Sequence, residues 1–384
     1  MQYRKFGSLD WQVSALGFGA MRLPTLDGDS GKINEPEATA MIHRAINGGV
    51  NYVDTAWGYH QEQSERFLSR ALKDGYREKV YLATKMPSWL VKEEADFDRY
   101  LEAQLERLDV DHIDVYLLHS MNARHWKNYQ ALDVFTWAEK RMAEGLFHQL
   151  GFSFHDEYPV FEQIVTGYDN WAMAQIQYNY IDIEHQAGLK GLKLAADRGL
   201  AVVVMEPLRG GKIAKNPPPD PVAETWAKSE RGWSPVAWAL NWLWDQPEVA
   251  TVLSGMSAME HVEENLALAA ESSIGKLTAA DRALVNEARS AYASLEPIPC
   301  TQCEYCLPCP SDVAIPRIFG VYNEAASFDA WGHGRWAYNN IKVEERADNC
   351  TECGECEAVC PQNIQIIDWL ATVHKTLAQA ESEV

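Results

Sequence analysis

Cysteine is absent from the first 299 residues of this 384-residue chain, and all eight cysteines fall between Cys300 and Cys360. A disulfide framework would spread its pairs over the chain, and a reducing cytoplasm would keep such pairs open. Clustering at short, regular spacing indicates metal ligands instead. We therefore expect a cytoplasmic protein whose C-terminal cysteines bind a metal.

Long apolar runs and basic charge are also scarce. No run of about 18 apolar residues occurs, so we expect no transmembrane helix. Residues 1–10 are polar and charged, unlike a secretory signal. With 34 Lys and Arg against 55 Asp and Glu, the formal net charge is -21. An acidic surface repels phosphate backbones and anionic lipid, which argues against nucleic-acid and membrane partners.

Short β-rich runs alternate with amphipathic helical segments up to about residue 270. The β-rich runs are residues 14–21, 51–55, 80–85, 112–119, 149–154, 173–178, 201–205 and 250–254. The helical segments between them include residues 36–47, 64–73, 97–108 and 189–198. Eight β/α units predict an α/β protein with a closed parallel (β/α)8 barrel of the TIM type.

An open, doubly wound sheet is the alternative fold. Its dinucleotide fingerprint is incomplete here, because Arg22 stands where the third glycine after Gly17 and Gly19 should be. The barrel is therefore favoured. The proline-rich stretch 216–221 predicts a loop after the seventh strand, and residues 275–295 predict a closing helix. The prolines at 297 and 299 then end the pattern, so we expect a barrel over 1–295 and a second domain over 296–384.

The second domain contains two cysteine runs. The first, from Cys300, reads C-x2-C-x2-C-x2-C-P, and the second, from Cys350, reads C-x2-C-x2-C-x3-C-P. The second run matches the bacterial iron–sulfur pattern completely, whereas the first is one residue shorter, which leaves its fourth ligand open. A structural zinc site or a single cluster are the alternatives. Repeated x2 spacing before Cys-Pro favours two 4Fe–4S clusters, and helical patterns in 311–349 indicate a small, mainly helical ferredoxin-type domain.

In two-cluster ferredoxins the fourth cysteine of each run binds the other cluster. This resemblance implies that the first cluster is bound by Cys300, Cys303, Cys306 and Cys360. It implies that the second cluster is bound by Cys309, Cys350, Cys353 and Cys356.

Four ionisable residues follow or end successive predicted barrel strands: Asp54, Tyr59, Lys85 and His119. Barrel chemistry occurs at the carboxyl ends of the strands. Each residue alone has an ordinary structural explanation, such as a helix cap, loop packing, a strand-end charge or a buried histidine. Because all four lie at the ends of three adjacent strands, they indicate an active site.

The order and spacing of these four residues resemble the catalytic tetrad of the aldo-keto reductases, over residues 1–295. The cysteine-rich extension resembles a subgroup with a C-terminal ferredoxin-like domain. The resemblance implies NAD(P)H-dependent reduction of an aldehyde or ketone, or the reverse oxidation of an alcohol. A tyrosine with a pKa near 10 is a poor acid unless a cation stabilises its phenolate. Lys85 would supply that cation, Asp54 would orient Lys85, and His119 would hydrogen-bond the substrate oxygen that Tyr59 protonates.

The same resemblance implies the cofactor contacts. The residues concerned are Ser153 and Gln175 for the nicotinamide carboxamide, Pro207, Leu208, Gly210 and Lys212 for the pyrophosphate, and Ser254, Glu264 and Asn265 after the eighth strand. Phe154 departs from the family pattern at the carboxamide site, and His155, the next residue, would make that contact in its place. Where NADPH-specific members carry Lys-Ser and Arg, this chain has Gly255, Met256 and His261. Because neutral histidine binds phosphate less well than arginine, NADP and NAD both remain open as the cofactor.

Two other functions remain open beside carbonyl reduction. The clusters could pass electrons to a partner protein, or the chain could be a redox-sensing binding protein. Nicotinamide gives up two electrons as hydride whereas a 4Fe–4S cluster takes one, and the sequence contains no flavin fingerprint. This mismatch argues against direct electron transfer. Three tryptophans, Trp57, Trp89 and Trp126, are candidates for an apolar substrate pocket.

Overall fold

The computed structural model describes residues 1–300, 302, 304–360 and 362–378. The chain forms two compact units. One contains Met1–Gly210 and Val236–Ala280, and the other contains Gly211–Pro235 and the described residues from Asp281 onward. Within the described ranges, every helix is too short or too polar to cross a membrane.

The first unit is built on ten β-strands. In chain order they are β1 Tyr3–Lys5, β2 Gln12–Ser14, β3 Leu16–Gly19, β4 Tyr52–Asp54, β5 Tyr81–Met86, β6 Ile113–Met121, β7 Phe147–Phe154, β8 Met173–Gln177, β9 Ala201–Met205 and β10 Val249–Ser254. Strands β3 to β10 are parallel and form a closed barrel, in which β10 pairs with β3. The predicted TIM-type barrel is confirmed. Strands β1 and β2 form an antiparallel hairpin that the sequence did not indicate.

Fifteen α-helices occur in the described residues, and most follow a barrel strand. In chain order they are α1 Glu35–Asn47, α2 Ser64–Ala71, α3 Ala95–Leu108, α4 Ala123–Ala131, α5 Val134–Ala143, α6 Tyr158–Thr166, α7 Gly188–Asp197, α8 Asp220–Trp226, α9 Pro235–Trp244, α10 Met259–Ala270, α11 Ala279–Ala293, α12 Ile315–Ser327, α13 Trp331–Asn339, α14 Glu355–Ala358 and α15 Ile366–Leu377. Short 3-10 turns cover Arg77–Lys79, Ser88–Leu90, Arg209–Ala214, Val343–Glu345 and Ala347–Asn349.

Helix α1 illustrates why the segments fold as they do. Pro36 lies in its first turn, where a missing N–H costs nothing, and acidic Glu35 and Glu37 complement the positive end of the helix dipole. Its apolar face is buried through Met41 and Ile42. Burying one such side chain stabilises the fold by about 1.5–3 kcal/mol. An amphipathic segment of this kind therefore folds onto the barrel.

The strands of the barrel separate two apolar layers. Along β6, Val115 and Leu117 point into the barrel interior, while Tyr116 and Leu118 point outward under the helices. This alternation follows from the two-residue period of an extended strand. Phe6, from the N-terminal hairpin region, belongs to the interior layer and closes the amino end of the barrel. A rigid packed barrel therefore holds the carboxyl ends of the strands in fixed positions.

The second unit includes the segment that follows β9. Helix α8 begins at Asp220, so the predicted loop 216–221 is wrong in its last two residues. Pro221 lies in the first turn of α8, a position that proline favours rather than breaks. Ion pairs hold the segment within this unit: Arg231 contacts Asp281 at 2.6 Å, and Lys228 pairs with Glu287.

Helices α12, α13 and α15 enclose the core of the second unit, which confirms the mainly helical C-terminal region. The core contains Ile318, Phe319 and Leu370, all almost fully buried. The Asn323 side chain accepts a hydrogen bond from the Ile298 N–H at 3.0 Å and donates one to the Ile298 carbonyl at 2.7 Å. These two bonds fix the chain just before the first cysteine run.

Candidate active site

Four predicted residues come together at the carboxyl ends of three neighbouring strands. Asp54 ends β4, Tyr59 lies in the turn after it, Lys85 is the fifth residue of β5, and His119 lies near the end of β6. The parallel register of β4, β5 and β6 places these ends side by side. The barrel topology thus assembles residues that are up to 65 positions apart in the chain.

The Lys85 ammonium is at the centre of the group. Its Nζ donates to Asp54 Oδ1 at 2.6 Å, to the Thr55 carbonyl at 2.7 Å and to the Tyr59 hydroxyl at 3.2 Å. The Lys85 side chain is fully buried. All three protons of the ammonium therefore have a partner, which is the arrangement that a buried charge requires. The sequence did not indicate the part that Thr55 plays.

The electrostatics keep Lys85 charged and Tyr59 protonated. Burial works against the Lys85 charge, but the nearby Asp54 carboxylate and Tyr59 outweigh it, and the pKa of Lys85 is raised. The pKa of Tyr59 is also raised, chiefly by burial, although the Lys85 charge pulls it down. Lys85 thus shifts the pKa of the phenol downward, as expected, but the upward shift caused by burial is larger. Tyr59 therefore holds its proton at neutral pH.

His119 completes the group as a neutral imidazole. Its ring lies 6.1 Å from the Tyr59 ring, nearly perpendicular to it, and 5.1 Å from the Trp89 ring. Burial first, and then the positive charge of Lys85, lower the pKa of His119 well below its usual value. Its Nδ1 is buried and has no hydrogen-bond partner within the described part of the chain. A buried polar atom without a partner can form a hydrogen bond with a ligand.

The three tryptophans suggested for a substrate pocket lie in different surroundings. Trp89 is 46% exposed beside His119, and so borders the site. Trp126 is buried and packs against Phe135. The Trp57 ring is covered by the Arg107 guanidinium at 3.4 Å. Of the three, only Trp89 is both exposed and in contact with the site.

A buried polar network behind β5, which the sequence reasoning missed, fixes the backbone of Lys85. Gln104 donates to the Lys85 carbonyl at 3.1 Å and accepts from the Tyr116 hydroxyl at 2.7 Å. Glu65 accepts from the Thr84 hydroxyl at 2.6 Å. The available signal was a glutamine in the apolar stripe of α3. Such networks hold active-site strands in one position.

The two residues predicted for the nicotinamide carboxamide are neighbours. Ser153 on β7 and Gln175 on β8 occupy paired positions in the parallel register, and both are almost fully buried. The Ser153 hydroxyl accepts a hydrogen bond from the Ser120 N–H at 2.8 Å. Gln175 Oε1 has no hydrogen-bond partner among the described residues. The pair thus offers a hydroxyl donor and an unused carbonyl acceptor next to each other.

Pro207, Leu208 and Gly210 follow β9, as predicted for a pyrophosphate loop. Arg22 lies against this loop: its Nη2 is 3.7 Å from Glu206 Oε1, and a Cβ added to Gly210 would lie 3.3 Å from the same nitrogen.

Lys212, which was predicted for the same purpose, forms an ion pair with Glu324. Sequence reasoning noticed Arg22 only as a departure from a glycine fingerprint. The structure places Arg22 beside this loop as a second cation of the barrel unit, next to Arg209 of the loop itself, which pairs with Asp182 at 3.3 Å.

The residues after β10 form a small polar group. Asn265 on α10 donates to the Ser254 hydroxyl at 3.0 Å, and both side chains are nearly buried. Glu264 is exposed one position earlier. His261 is also exposed, and its Nδ1 lies 3.4 Å from the Ser257 N–H. The residues predicted for the cofactor after the eighth strand therefore lie at the end of β10 and in the middle of α10.

In the second unit, cysteines from both runs border one cavity. Cys300 and Cys306 from the first run and Cys360 from the second line it, together with Ile315 and Phe319. Cys303, the fourth predicted ligand of this cluster, lies outside the described residues. Three thiols facing one apolar space suit the thiolate ligation that an iron–sulfur cluster requires.

The second predicted ligand set also draws on both runs. The hydroxyls of Ser311 and Thr351 are 3.1 Å apart, so the chain just after Cys309 lies against the chain just after Cys350. Cys353 is exposed, whereas Cys309, Cys350 and Cys356 are partly buried at the edge of the helical core. The fold thus brings the fourth cysteine of each run toward the other run.

A closed parallel barrel with a buried lysine, an aspartate, a tyrosine and a histidine at its strand ends defines a barrel oxidoreductase with an attached cysteine-rich domain. Comparison with protein families gives the same result. The Aldo/keto reductase family profile matches residues 15–288, and a 4Fe-4S dicluster domain profile matches residues 299–365. The chain belongs to the aldo/keto reductase family, and the predicted resemblance is confirmed.

Named relatives are similar over most of their length. The chain is 26% identical to L-galactose dehydrogenase of Arabidopsis thaliana over 290 residues, covering 71% of this chain and 89% of the relative. It is 26% identical to the NADH-specific methylglyoxal reductase of Escherichia coli K12 over 302 residues, covering 68% and 91%. A holo-form aldo-keto reductase from Bacillus halodurans superposes with a TM-score of 0.62 at 26% identity, covering 75% of this chain and 96% of that one.

Proposed function

We propose that the protein reduces a small aldehyde or ketone with NAD(P)H, or oxidises the corresponding alcohol, and that two 4Fe–4S clusters are bound in its C-terminal domain. The observation that carries this proposal is the set of hydrogen bonds from buried Lys85 to Asp54 and Tyr59. A domain that only binds a partner or a cofactor does not require a buried ammonium beside a phenol. The Gln175 and Ser153 pair supports a carboxamide-bearing cofactor.

A bound nicotinamide supplies the hydride for such a reduction. The protein must then protonate the oxygen of the reduced carbonyl. Tyr59 holds the proton on its hydroxyl, and Lys85, at 3.2 Å, stabilises the phenolate that remains after transfer. Asp54 keeps Lys85 in place. Neutral His119 donates an N–H to the carbonyl oxygen, which orients the substrate before the proton moves.

The residues present fit a nicotinamide carboxamide. Gln175 Oε1 is a buried acceptor without a partner in the described chain, and a carboxamide N–H would satisfy it. The Ser153 hydroxyl already accepts from Ser120, so its own proton is available to a carboxamide oxygen. Arg22 lies beside Gly210 and would bind a phosphate of the cofactor. To do so, it would give up its solvent-exposed ion pair with Glu206.

We further propose that NADH is preferred over NADPH. The exposed start of α10 carries His261 where a bidentate arginine would be needed for the 2′-phosphate, and Gly255 and Met256 add no charge. The experiment is an anaerobic assay of small aldehydes and ketones with each coenzyme, following both coenzyme oxidation and cluster absorption.

We expect NADH oxidation that depends on the carbonyl compound, with a higher kcat/KM for NADH than for NADPH. His261→Arg should reduce the ratio of kcat/KM for NADH to kcat/KM for NADPH. The reason is that a charged hydrogen bond from the guanidinium to the 2′-phosphate contributes about 1.5–3 kcal/mol to NADPH binding. The proposal fails if NADH reduces the clusters in the absence of any carbonyl compound and no carbonyl is consumed. That outcome would favour electron transfer to a partner, for which the dicluster domain is the supporting observation.

Cys353→Ser tests the two-cluster assignment. Since Cys353 belongs to the second predicted ligand set, its loss should lower the iron content from about eight to about four atoms per chain. The cavity bordered by Cys300, Cys306 and Cys360 should keep its cluster. The measurement is iron and acid-labile sulfide per chain, with the cluster EPR signal. Unchanged iron would exclude Cys353 as a ligand, and zinc in place of iron would exclude clusters altogether.

A further inference from the structure

Two histidines and an aspartate meet at the amino end of the barrel. His112 directly precedes β6, Asp114 is the second residue of β6, and His148 is the second residue of β7. Asp114 and His119 are five residues apart on the same strand, so this group lies roughly 17 Å along β6 from the active site. The reductase mechanism uses none of these three residues.

Their grouping is fixed by the barrel rather than by loops. The parallel register of β6 and β7 puts Asp114 level with His148. His112 directly precedes β6, and its ring approaches the same oxygen of Asp114 as the ring of His148 does. Backbone hydrogen bonds between β6 and β7 therefore hold Asp114 and His148 close together, with His112 next to the first residue of β6.

The side-chain atoms converge without bonding one another. Asp114 Oδ1 is 3.9 Å from His112 Nε2 and 3.8 Å from His148 Nδ1, which is too long for hydrogen bonds. The two imidazole rings stack at 4.4 Å. One ligand atom from each residue lies within 4.8 Å of the others. A tetrahedral ion with bonds of about 2.1 Å holds its donors roughly 3.4 Å apart, so small rotations of the exposed rings would complete a site.

The carboxylate is held in position by its other oxygen. Asp114 Oδ2 accepts the Leu82 N–H at 2.8 Å and lies 2.7 Å from Arg77 Nη2. Arg77 also donates to the His112 carbonyl at 3.1 Å, which ties the aspartate to the histidine backbone. Ligating carboxylates are commonly supported in this way by a second layer of hydrogen bonds. Oδ1 is thereby directed toward the two imidazoles.

An open cleft gives access to the group. The cleft has a volume of about 600 Å³ and is lined by His112 and Asp114, with Tyr81 and the charged Lys73 and Glu78 among its other residues. An ion with three protein ligands there keeps further positions for water. Two imidazoles and one carboxylate are ligands for Zn²⁺, Co²⁺, Ni²⁺ or Fe²⁺, whereas Ca²⁺ and Mg²⁺ require oxygen ligands.

We propose that His112, Asp114 and His148 form a binding site for a divalent transition-metal ion that joins β6 to β7 at the amino end of the barrel. The site is separate from the cysteine clusters and does not depend on the proposed reductase activity. Its test measures metal rather than turnover, so its failure would leave the proposed function untouched.

The test is a titration of the full-length, cluster-loaded protein with Zn²⁺ by calorimetry at pH 7.5, without oxygen. We expect one equivalent to bind in the wild type. His148→Ala should weaken that binding by at least about tenfold, as loss of a metal-site group typically does. Because His148 is exposed, this variant should fold. Asp114→Asn should have the same effect, and His185→Ala, an exposed histidine outside the group, should have none.

Three results would overturn the proposal. The first is an absence of saturable Zn²⁺ binding in the wild type. The second is binding in His148→Ala with the wild-type affinity, because the ion would then be held elsewhere, such as by cysteines. The third is an equal loss in His185→Ala, which would indicate nonspecific binding. An anomalous Zn peak between the three side chains in a crystal would support the site directly.

Discussion

Replacing Tyr59 with phenylalanine should lower kcat for carbonyl reduction by about 10²–10⁴-fold, the usual contribution of a positioned general acid. The hydroxyl that is removed lies 3.2 Å from Lys85 Nζ. In the proposed mechanism it carries the proton for the substrate oxygen. The aromatic ring stays, so packing around the site should be kept. The measurement is the steady-state rate with the carbonyl compound identified in the coenzyme assay.

The controls separate chemistry from binding. Coenzyme affinity, followed by fluorescence quenching, should be unchanged in Tyr59→Phe, because the variant leaves Ser153 and Gln175, the residues proposed to bind the carboxamide, untouched. Iron content should also be unchanged. Tyr158→Phe removes an exposed hydroxyl that bonds Glu162 at 3.3 Å and should keep full activity. Wild-type turnover in Tyr59→Phe would reject Tyr59 as the proton donor and leave His119 as the candidate.

Lys85→Met should have the second large effect, on stability as well as activity. Lys85 and Asp54 are both buried and pair at 2.6 Å. Removing one partner leaves the other charge buried without compensation, which costs about 3–5 kcal/mol in the free energy of unfolding. Asp54 Oδ2 already has no partner among the described residues, so the lost bond is not easily replaced. Urea unfolding, followed by tryptophan fluorescence without oxygen, measures the loss.

Two further variants make this prediction specific. Asp54→Asn combined with Lys85→Met removes both charges and should recover much of the lost stability while activity stays low. Arg70→Met breaks an ion pair with Glu35 of similar length that is about half exposed, and should cost less than about 1 kcal/mol. Equal losses in Lys85→Met and Arg70→Met would contradict the claim that burial makes the Lys85 pair important.

Much of the fold could be predicted because its signals are local. The spacing of β-rich and amphipathic segments indicated a parallel barrel, since strand and helix periods are written into the order of apolar residues. The hairpin of β1 and β2 was missed because its strands have three residues each, too few for a periodic pattern. The start of α8 was missed because a proline-rich stretch was interpreted as loop, although Pro221 suits a first helical turn.

The residues of the candidate site also fall into those that the sequence could predict and those that it could not. Asp54, Tyr59, Lys85 and His119 could be predicted because each lies at the end of its strand or in the turn after it, where barrel topology collects polar groups. Thr55 and Gln104 could not, since one acts through its backbone carbonyl and the other through a contact across the outer layer. Arg22 was noticed only as a missing glycine, because its neighbours Glu206 and Gly210 are far away in sequence.

The sequence by itself determined the barrel, the cysteine-rich helical domain and the chemical types gathered at the strand ends, because periodicity and short motifs are properties of neighbouring residues. Only the tertiary structure decided the pairing of Lys212 with Glu324, the protonated state of Tyr59 and the meeting of His112, Asp114 and His148. Those features depend on distance, burial and strand register between segments far apart in the chain, and such quantities are set only when the whole domain packs.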